Sequence, residues 1–229
     1  MGNGRRCEEL TFETGGAQLF RSALSASELA ALERALAGQP RDQAGVRLRQ
    51  ATALRPLLDV AGAVGRIPAS VLGEGCFAVR AILFDKSAEQ NWSLAWHQDR
   101  TIVVRERIEV AGFGPWSVKS GMLHVEPPFA LLAGMVTVRV HLDPVPATNA
   151  PLLVAPGSHK LGRIAVADIP EVVRQSEPVA CLAEAGDIWL YSTPILHASD
   201  AAVEPLHRRV LQADYAIGPL PGGLRWLGV

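Results

Sequence analysis

His97 and Asp99, in Trp96-His97-Gln98-Asp99, set an imidazole and a carboxylate two positions apart, on one face of the chain if the segment is extended. A second imidazole, His197 in Leu196-His197-Ala198-Ser199, follows a turn and an apolar run, Gly186-Asp187-Ile188-Trp189-Leu190-Tyr191. Two imidazoles and one carboxylate can bind an octahedral Fe(II) on one face and leave three positions open, the donor set of non-haem iron oxygenases. Eleven residues after His197, Arg208 opens the strand pattern Arg-Arg-Val-Leu-Gln-Ala-Asp-Tyr-Ala. Antiparallel strands in succession return Arg208 or Arg209 beside His197. The planar fork of a guanidinium pairs with a carboxylate through two parallel bonds, which suits a dicarboxylate co-substrate.

The other histidines compete for these roles. His124-Val125-Glu126 is a second His-x-acid pair, followed at once by Pro127-Pro128. His159 ends Pro156-Gly157-Ser158-His159 and is expected to lock that loop through backbone hydrogen bonds. His141 lies two residues after Arg139 in the alternating run Met135–Leu142, so both share a face that could look into a barrel mouth. His207 is expected at the surface. The glycine-rich, aromatic segment Gly112-Phe113-Gly114-Pro115-Trp116 reads either as a folded surface loop or as a lid over the metal, and the lid is preferred since such loops carry function on rigid β-scaffolds.

The elements that must position these residues change character along the chain. Ser25-Ala26-Ser27-Glu28 is a capping box. Leu29, Leu32 and Leu36 follow at helical spacing, and Gly38 stands where a helix stops. A second helix is expected within Ala51–Val64, started or kinked by Pro56, with the polar stretch Gln39–Arg49 as a loop. From Phe77 onward short apolar runs dominate: Phe77–Phe84, Met135–Leu142, Leu152–Ala155, Val179–Leu182, Ile188–Ser192 and Arg209–Ile217, separated by Gly, Pro, Asn and Asp. Asp168–Arg174 reads as one or two helical turns in a connection. The pattern predicts a mainly β domain, a sandwich or barrel, flanked by helices.

With 229 residues, 48% hydrophobic and 20% charged, the chain is sized and composed for one domain with a sizeable core. We read residues 1–76 as a mainly helical support and 77–218 as the core. Lys+Arg 22 against Asp+Glu 23 gives a net charge of -1, with no global field for nucleic acid or anionic membrane. Cys7, Cys76 and Cys181 are odd in number and lack CxxC spacing, which argues against a disulfide framework and a zinc knuckle. The start, MGNGRRCEEL, has no apolar stretch of a secretory leader, and Arg6 breaks the myristoylation pattern opened by Gly2. The longest apolar stretch, Phe129–Val138, is too short to span a bilayer. A soluble, cytoplasmic protein is expected.

The His-x-Asp pair, the distal His197, the arginine eleven positions later and the intervening Pro156-Gly157-Ser158-His159 together resemble the phytanoyl-CoA dioxygenase family of Fe(II)/2-oxoglutarate oxygenases. The similarity runs from about Phe77 to Ala216 and is strongest at Ala95–Asp99, Leu152–Gly162 and Gly186–Ala216. Where the family has an Asn-Gly-Pro turn this chain has Asn149-Ala150-Pro151. The resemblance implies a double-stranded β-helix, a cupin-like jelly roll. It implies Fe(II) held by His97, Asp99 and His197, and 2-oxoglutarate held by Arg208 with help from Ser199; Arg209 is the fallback. It also implies O2 as co-substrate, a small-molecule substrate, and release of succinate and CO2. Because Asp99 is present, hydroxylation is expected rather than the halogenation of relatives that replace this carboxylate. Two alternatives stay open: a non-enzymatic jelly roll that binds a small ligand, and a metal-dependent cupin enzyme that ignores 2-oxoglutarate.

Overall fold

A computed structural model describes residues 10–40 and 43–229. Cys7 and the first nine residues, on which the leader and lipidation expectations rest, lie outside the described residues. The chain runs α1 (Phe12–Gly15), β1 (Ala17–Phe20), α2 (Ala26–Leu36), β2 (Gly45–Leu48), α3 (Arg55–Leu58), α4 (Arg66–Leu72) and the long strand β3 (Cys76–Lys86). Then follow β4 (Leu94–His97), β5 (Ile102–Val104), β6 (Trp116–Lys119), β7 (Met122–Val125), α5 (Phe129–Ala133), β8 (Val136–His141) and β9 (Leu152–Val154). The last elements are α6 (Ile169–Ser176), β10 (Val179–Cys181), β11 (Ile188–Ser192), β12 (His197–Ser199) and β13 (Arg208–Ile217).

Among the described residues these strands form three antiparallel sheets. The largest has the order β1-β11-β8-β13-β3-β2; the second is β10-β9-β12-β4; the third is β5-β7-β6. This is the jelly-roll core expected from the sequence. Alternation along the strands of the large sheet decides which face does what. Val136, Val138 and Val140 of β8, with Leu211, Ala213 and Tyr215 of β13, join a cluster with Leu32 and Leu36 of α2, Leu58 of α3 and Ile67 of α4. Burying each valine or leucine there stabilises by roughly 1.5–3 kcal/mol. The intervening residues face inward. Trp189 and Tyr191 of β11 meet Leu152 and Val154 of β9 and Val179 and Cys181 of β10, closing the two sheets on one another.

The capping box is formed: the Glu28 amide donates to the Ser25 hydroxyl and the Ser25 amide to the Glu28 carboxylate at 2.8 Å. Ala37 caps α2, with Gly38 just beyond. Three expectations need correction. Residues Gly45–Leu48 are an edge strand rather than loop, because Val46 and Leu48 point into the core while the backbone pairs with β3. The helix expected within Ala51–Val64 is the single turn α3, with Pro56 starting it; the chain turns through Gly62 and Gly65 before α4 begins. The region before residue 77 is not only helical support, since it supplies both edge strands of the largest sheet, β1 and β2. The Asp168–Arg174 segment is helical, as α6 with Pro170 in its first turn.

Candidate metal centre

β4 and β12 pair so that His97 and His197 are direct cross-strand partners, their ring centroids 4.3 Å apart. Asp99 follows two residues past His97, and the ligand atoms of His97, Asp99 and His197 all lie within 4.8 Å of one another. Each histidine is oriented by its own backbone. His97 Nδ1 sits 2.8 Å from the Ala95 carbonyl oxygen, and His197 Nδ1 sits 2.9 Å from that of Ile195. A carbonyl can only accept, so both Nδ1 atoms carry the proton and both Nε2 lone pairs are left for a cation. Burial holds His197 down at about 4, with Asp99 opposing, which keeps the ring neutral near pH 7. Burial pushes the Asp99 carboxyl up, but Arg80, His197 and His97 outweigh it and leave it below the ordinary value. Two imidazole Nε2 lone pairs and one carboxylate fit a divalent cation with mixed N and O preference.

Several neighbours lock this geometry, and the sequence reading missed most of them. Gln98 turns its side chain away from the ligands. Its Nε2 donates to the carbonyls of Gly162 at 3.0 Å and Pro194 at 2.9 Å, and its Oε1 accepts the Ile164 amide at 2.9 Å. Arg80 of β3 bridges Asp99, at 3.3 Å, and the buried Asp214 of β13. Asp214 in turn accepts from the Thr137 hydroxyl at 3.0 Å. The signal for this network lay in the β3–β13 register, where Arg80 faces Asp214, and spacing along one strand does not reveal that. In Pro156–His159 it is Ser158, not His159, that locks the loop. Its hydroxyl accepts the Leu196 amide at 2.9 Å, one residue before His197. His159 instead packs beside Gly16, with Nδ1 buried and unpartnered.

The cluster opens into a cavity of about 410 Å³. Arg208 lines it from the start of β13, paired in register with Lys86 of β3. Its Nη1 donates to the Ala150 carbonyl and its Nε is buried without a partner. Ser199 lies beside it, its Oγ 3.3 Å from Lys86 Nζ and from the Ala150 oxygen. Lys86 also donates to the Trp92 carbonyl at 2.7 Å, and Arg139 donates to Gln212 Oε1 at 3.0 Å. Among the described residues, none of Arg208, Arg139 and Lys86 has a carboxylate partner. Burial, then Arg208 and Arg139, lowers Lys86 to about 8. Holding such cations out of water costs several kcal/mol unless an anion joins them. Arg209 points to the opposite face, where it pairs with Asp143 at 2.7 Å and Glu33 at 3.0 Å.

The remaining candidates lie elsewhere. His124 lines the cavity, with Nδ1 3.2 Å from Thr101 Oγ1, but Glu126 pairs with Arg163 at 2.7 Å and does not join it in a ligand set. His141 shares the inward face with Arg139 as expected, yet it is fully buried behind the cavity wall with both ring nitrogens unpartnered. His207 is exposed and pairs with Asp85 at 2.6 Å. Gly112–Trp116 is not a lid: none of its residues lines the cavity. Phe113 is buried with Leu132, Met135, Leu220 and Trp226, which anchors the segment in a separate core cluster.

Fold and cluster together define a double-stranded β-helix protein with a two-histidine, one-carboxylate centre. The phytanoyl-CoA dioxygenase (PhyH) family profile matches residues 12–210, and the chain belongs to this family. No curated protein matches it. Among solved structures, EctD from S. alaskensis with 2-oxoglutarate and 5-hydroxyectoine is 17% identical, covering 93% of this chain and 76% of that one, with a TM-score of 0.65. The epimerase SnoN in complex with Fe3+, alpha ketoglutarate and nogalamycin RO is 18% identical over 96% of this chain and 91% of its own, with a TM-score of 0.66. HygX from Streptomyces hygroscopicus with nickel and 2-oxoglutarate is 14% identical over 90% and 84%, with a TM-score of 0.61. At these identities the likeness is one of fold.

Proposed function

We propose that the chain is a cytoplasmic Fe(II)- and 2-oxoglutarate-dependent dioxygenase, a single catalytic domain that hydroxylates a small molecule. One observation carries the reading. A single cavity holds an N,N,O donor set with both Nε2 lone pairs available and a buried arginine without a carboxylate partner among the described residues. Family membership and the 2-oxoglutarate bound to EctD and HygX support it.

In this reading His97, Asp99 and His197 hold the iron, and Arg208 takes the distal carboxylate of 2-oxoglutarate, with Ser199 and Lys86 beside it. Iron with 2-oxoglutarate and O2 supplies the oxidising power, with succinate and CO2 released. The chain's own part is orientation. Gln98 and Ser158 fix the backbone next to two ligands, Arg80 keeps Asp99 ionised, and the carbonyls of Ala95 and Ile195 keep the imidazole lone pairs turned inward. Arg139 and Lys86 add positive potential where a dianion would sit.

Anaerobic titration with Fe(II), with and without 2-oxoglutarate, tests the assignment. The wild type is expected to develop the visible charge-transfer band of an iron–2-oxo acid chelate. His197→Ala and Asp99→Ala are expected to lose it and, once O2 is admitted, to form no succinate. A wild type that gives no band, or a His197→Ala variant that keeps it, overturns the reading. The mass of the oxidised substrate then separates a hydroxylase from an epimerase such as SnoN or a carbocyclase such as SnoK, since hydroxylation adds one oxygen atom.

A further inference from the structure

Apart from Arg80, held by Asp99 and Asp214, and Arg100, which donates to the Ile164 carbonyl, the cations along the cavity fall into two groups. Arg139 and Arg208 both press on Lys86, and the reading above commits these three to 2-oxoglutarate. The second group lies on other elements. Arg47 comes from edge strand β2, while Lys119 and His124 come from the β6–β7 hairpin. In this hairpin Lys119 pairs with Met122 and Ser117 with His124, so alternation puts Lys119 and His124 on the same face. The other face carries Trp116 and Val125 into the separate core cluster around Phe113, which fixes which way the hairpin faces. Its two-residue turn, Ser120-Gly121, has positive φ at both positions, the conformation that continues the strand twist. Arg47 Nη1 donates to Ser120 Oγ at 2.9 Å and Arg49 to the Ser120 carbonyl at 3.4 Å, tying the hairpin to the sheet edge.

This second group is short of acceptors. Among the described residues Arg47 and Lys119 have no carboxylate partner, and the Nε of Arg47 is buried with nothing bonded to it. Arg80, which lines the same cavity, is already engaged by Asp214 and Asp99. His124 is 1% exposed and its Nε2 has no partner. With Nδ1 able to accept from the Thr101 hydroxyl, Nε2 is free to carry the proton and donate it. Among the described residues Asp99 is the one acidic residue lining the cavity. The chain has three lysines, and two of them, Lys86 and Lys119, line this space. A neutral substrate would leave Arg47 Nε and His124 Nε2 buried and unmatched, whereas an anionic group satisfies them and draws in the exposed Lys119 ammonium beside them.

We propose that the substrate bears an anionic group, a carboxylate or a phosphate, that lies against Arg47, Lys119 and the Nε2 of His124. The substrate is thereby an acid whose charged end is held apart from the cations that take 2-oxoglutarate. Arg47 and Lys119 are specificity-determining residues, and the hairpin places them. The proposal rests on the oxygenase reading, because that reading assigns the other three cations to the co-substrate.

Calorimetric titration of the anaerobic Fe(II)- and 2-oxoglutarate-loaded protein with hexanoate, hexyl phosphate and neutral hexanamide tests it. One or both anions are expected to bind at least about tenfold more tightly than the amide, the size expected for charge-assisted bonds. The stronger of the two tells carboxylate from phosphate. In Arg47→Gln/Lys119→Gln the preference is expected to collapse, while Arg47→Lys keeps most of it. Fe(II)-dependent loading of 2-oxoglutarate, measured first in each variant, is expected to be unchanged. Equal binding of amide and anions, no binding of either anion at millimolar concentration, or a preference that survives the double substitution overturns the proposal. A wild type that does not load 2-oxoglutarate overturns the oxygenase reading instead, and the loading step shows this before any probe is added.

Discussion

On the central strands β8 and β13 of the largest sheet the two faces are built from alternate residues of the same strands, yet the outer is apolar and the inner largely polar. On β8 the outward Val136, Val138 and Val140 pack under the helices, while the inward Thr137, Arg139 and His141 are polar and buried. On β13 the outward Leu211, Ala213 and Tyr215 contrast with the inward Arg208, Gln212 and Asp214. The outer face is held by dispersion and by exclusion of water, whereas the inner face joins hydrogen-bonded pairs such as Arg80–Asp214 and Arg139–Gln212 to cations and a histidine whose buried nitrogens lack partners. A one-residue slip in register would exchange them, placing arginines under the helices, so the valine and leucine positions also fix where the polar groups point.

The sharpest way to separate the faces is to damage the outer one. Leu211→Ala removes a fully buried side chain there and is expected to cost about 2–5 kcal/mol of unfolding free energy, read by denaturant titration. Iron affinity of the folded fraction should stay as it was. A loss of metal binding out of proportion to the loss of folded protein would break the distinction. Next in size is the inner face itself. Arg208→Ala is expected to weaken 2-oxoglutarate binding by about 1.5–3 kcal/mol, roughly ten- to a hundredfold in Kd, at little cost in stability. Unchanged affinity would move the role to another cation.

Per pH unit and per histidine, the smallest effect is electrostatic. Burial pushes His141 well below 6.5 and His124 to about 4, so both are neutral in the folded chain and charged in the unfolded one at mildly acid pH. The unfolded state then binds more protons, and stability rises with pH across that window. Equivalently, metal-free protein should lose up to about 1.4 kcal/mol per pH unit for each such histidine as pH falls from about 6.5 toward 4. Thermal melts across this range, compared with His141→Gln, would show a shallower slope in the variant. An identical slope would mean that His141 does not contribute.

What was legible in the sequence was local. His97 and Asp99 two apart, the capping box at Ser25, and the alternation of Met135–Leu142 each follow from the period of an extended or helical chain. The preference for Arg208 over Arg209 came from family spacing and from the same alternation, and the two side chains do lie on opposite faces. The bridging role of Arg80 escaped notice because its partners, Asp99 and Asp214, are 19 and 134 residues away. The edge strands β1 and β2 escaped because each has just four residues that mix polar with apolar ones, whereas the still shorter β9 and β10 are wholly apolar runs. The lid reading of Gly112–Trp116 failed because composition does not say which core a phenylalanine enters.

By itself the sequence determined the class of fold, the ligand types and the family, since side-chain period and residue chemistry are properties of short segments. Tertiary structure decided the rest. It set the register that makes His97 and His197 cross-strand partners and the bridge from Arg80 to Asp99. It also placed the hairpin that brings Lys119 and His124 to the cavity opposite no acid but Asp99. These depend on which distant strands pair, and that is settled by burying the apolar face of the whole sheet at once rather than by any one segment's preference.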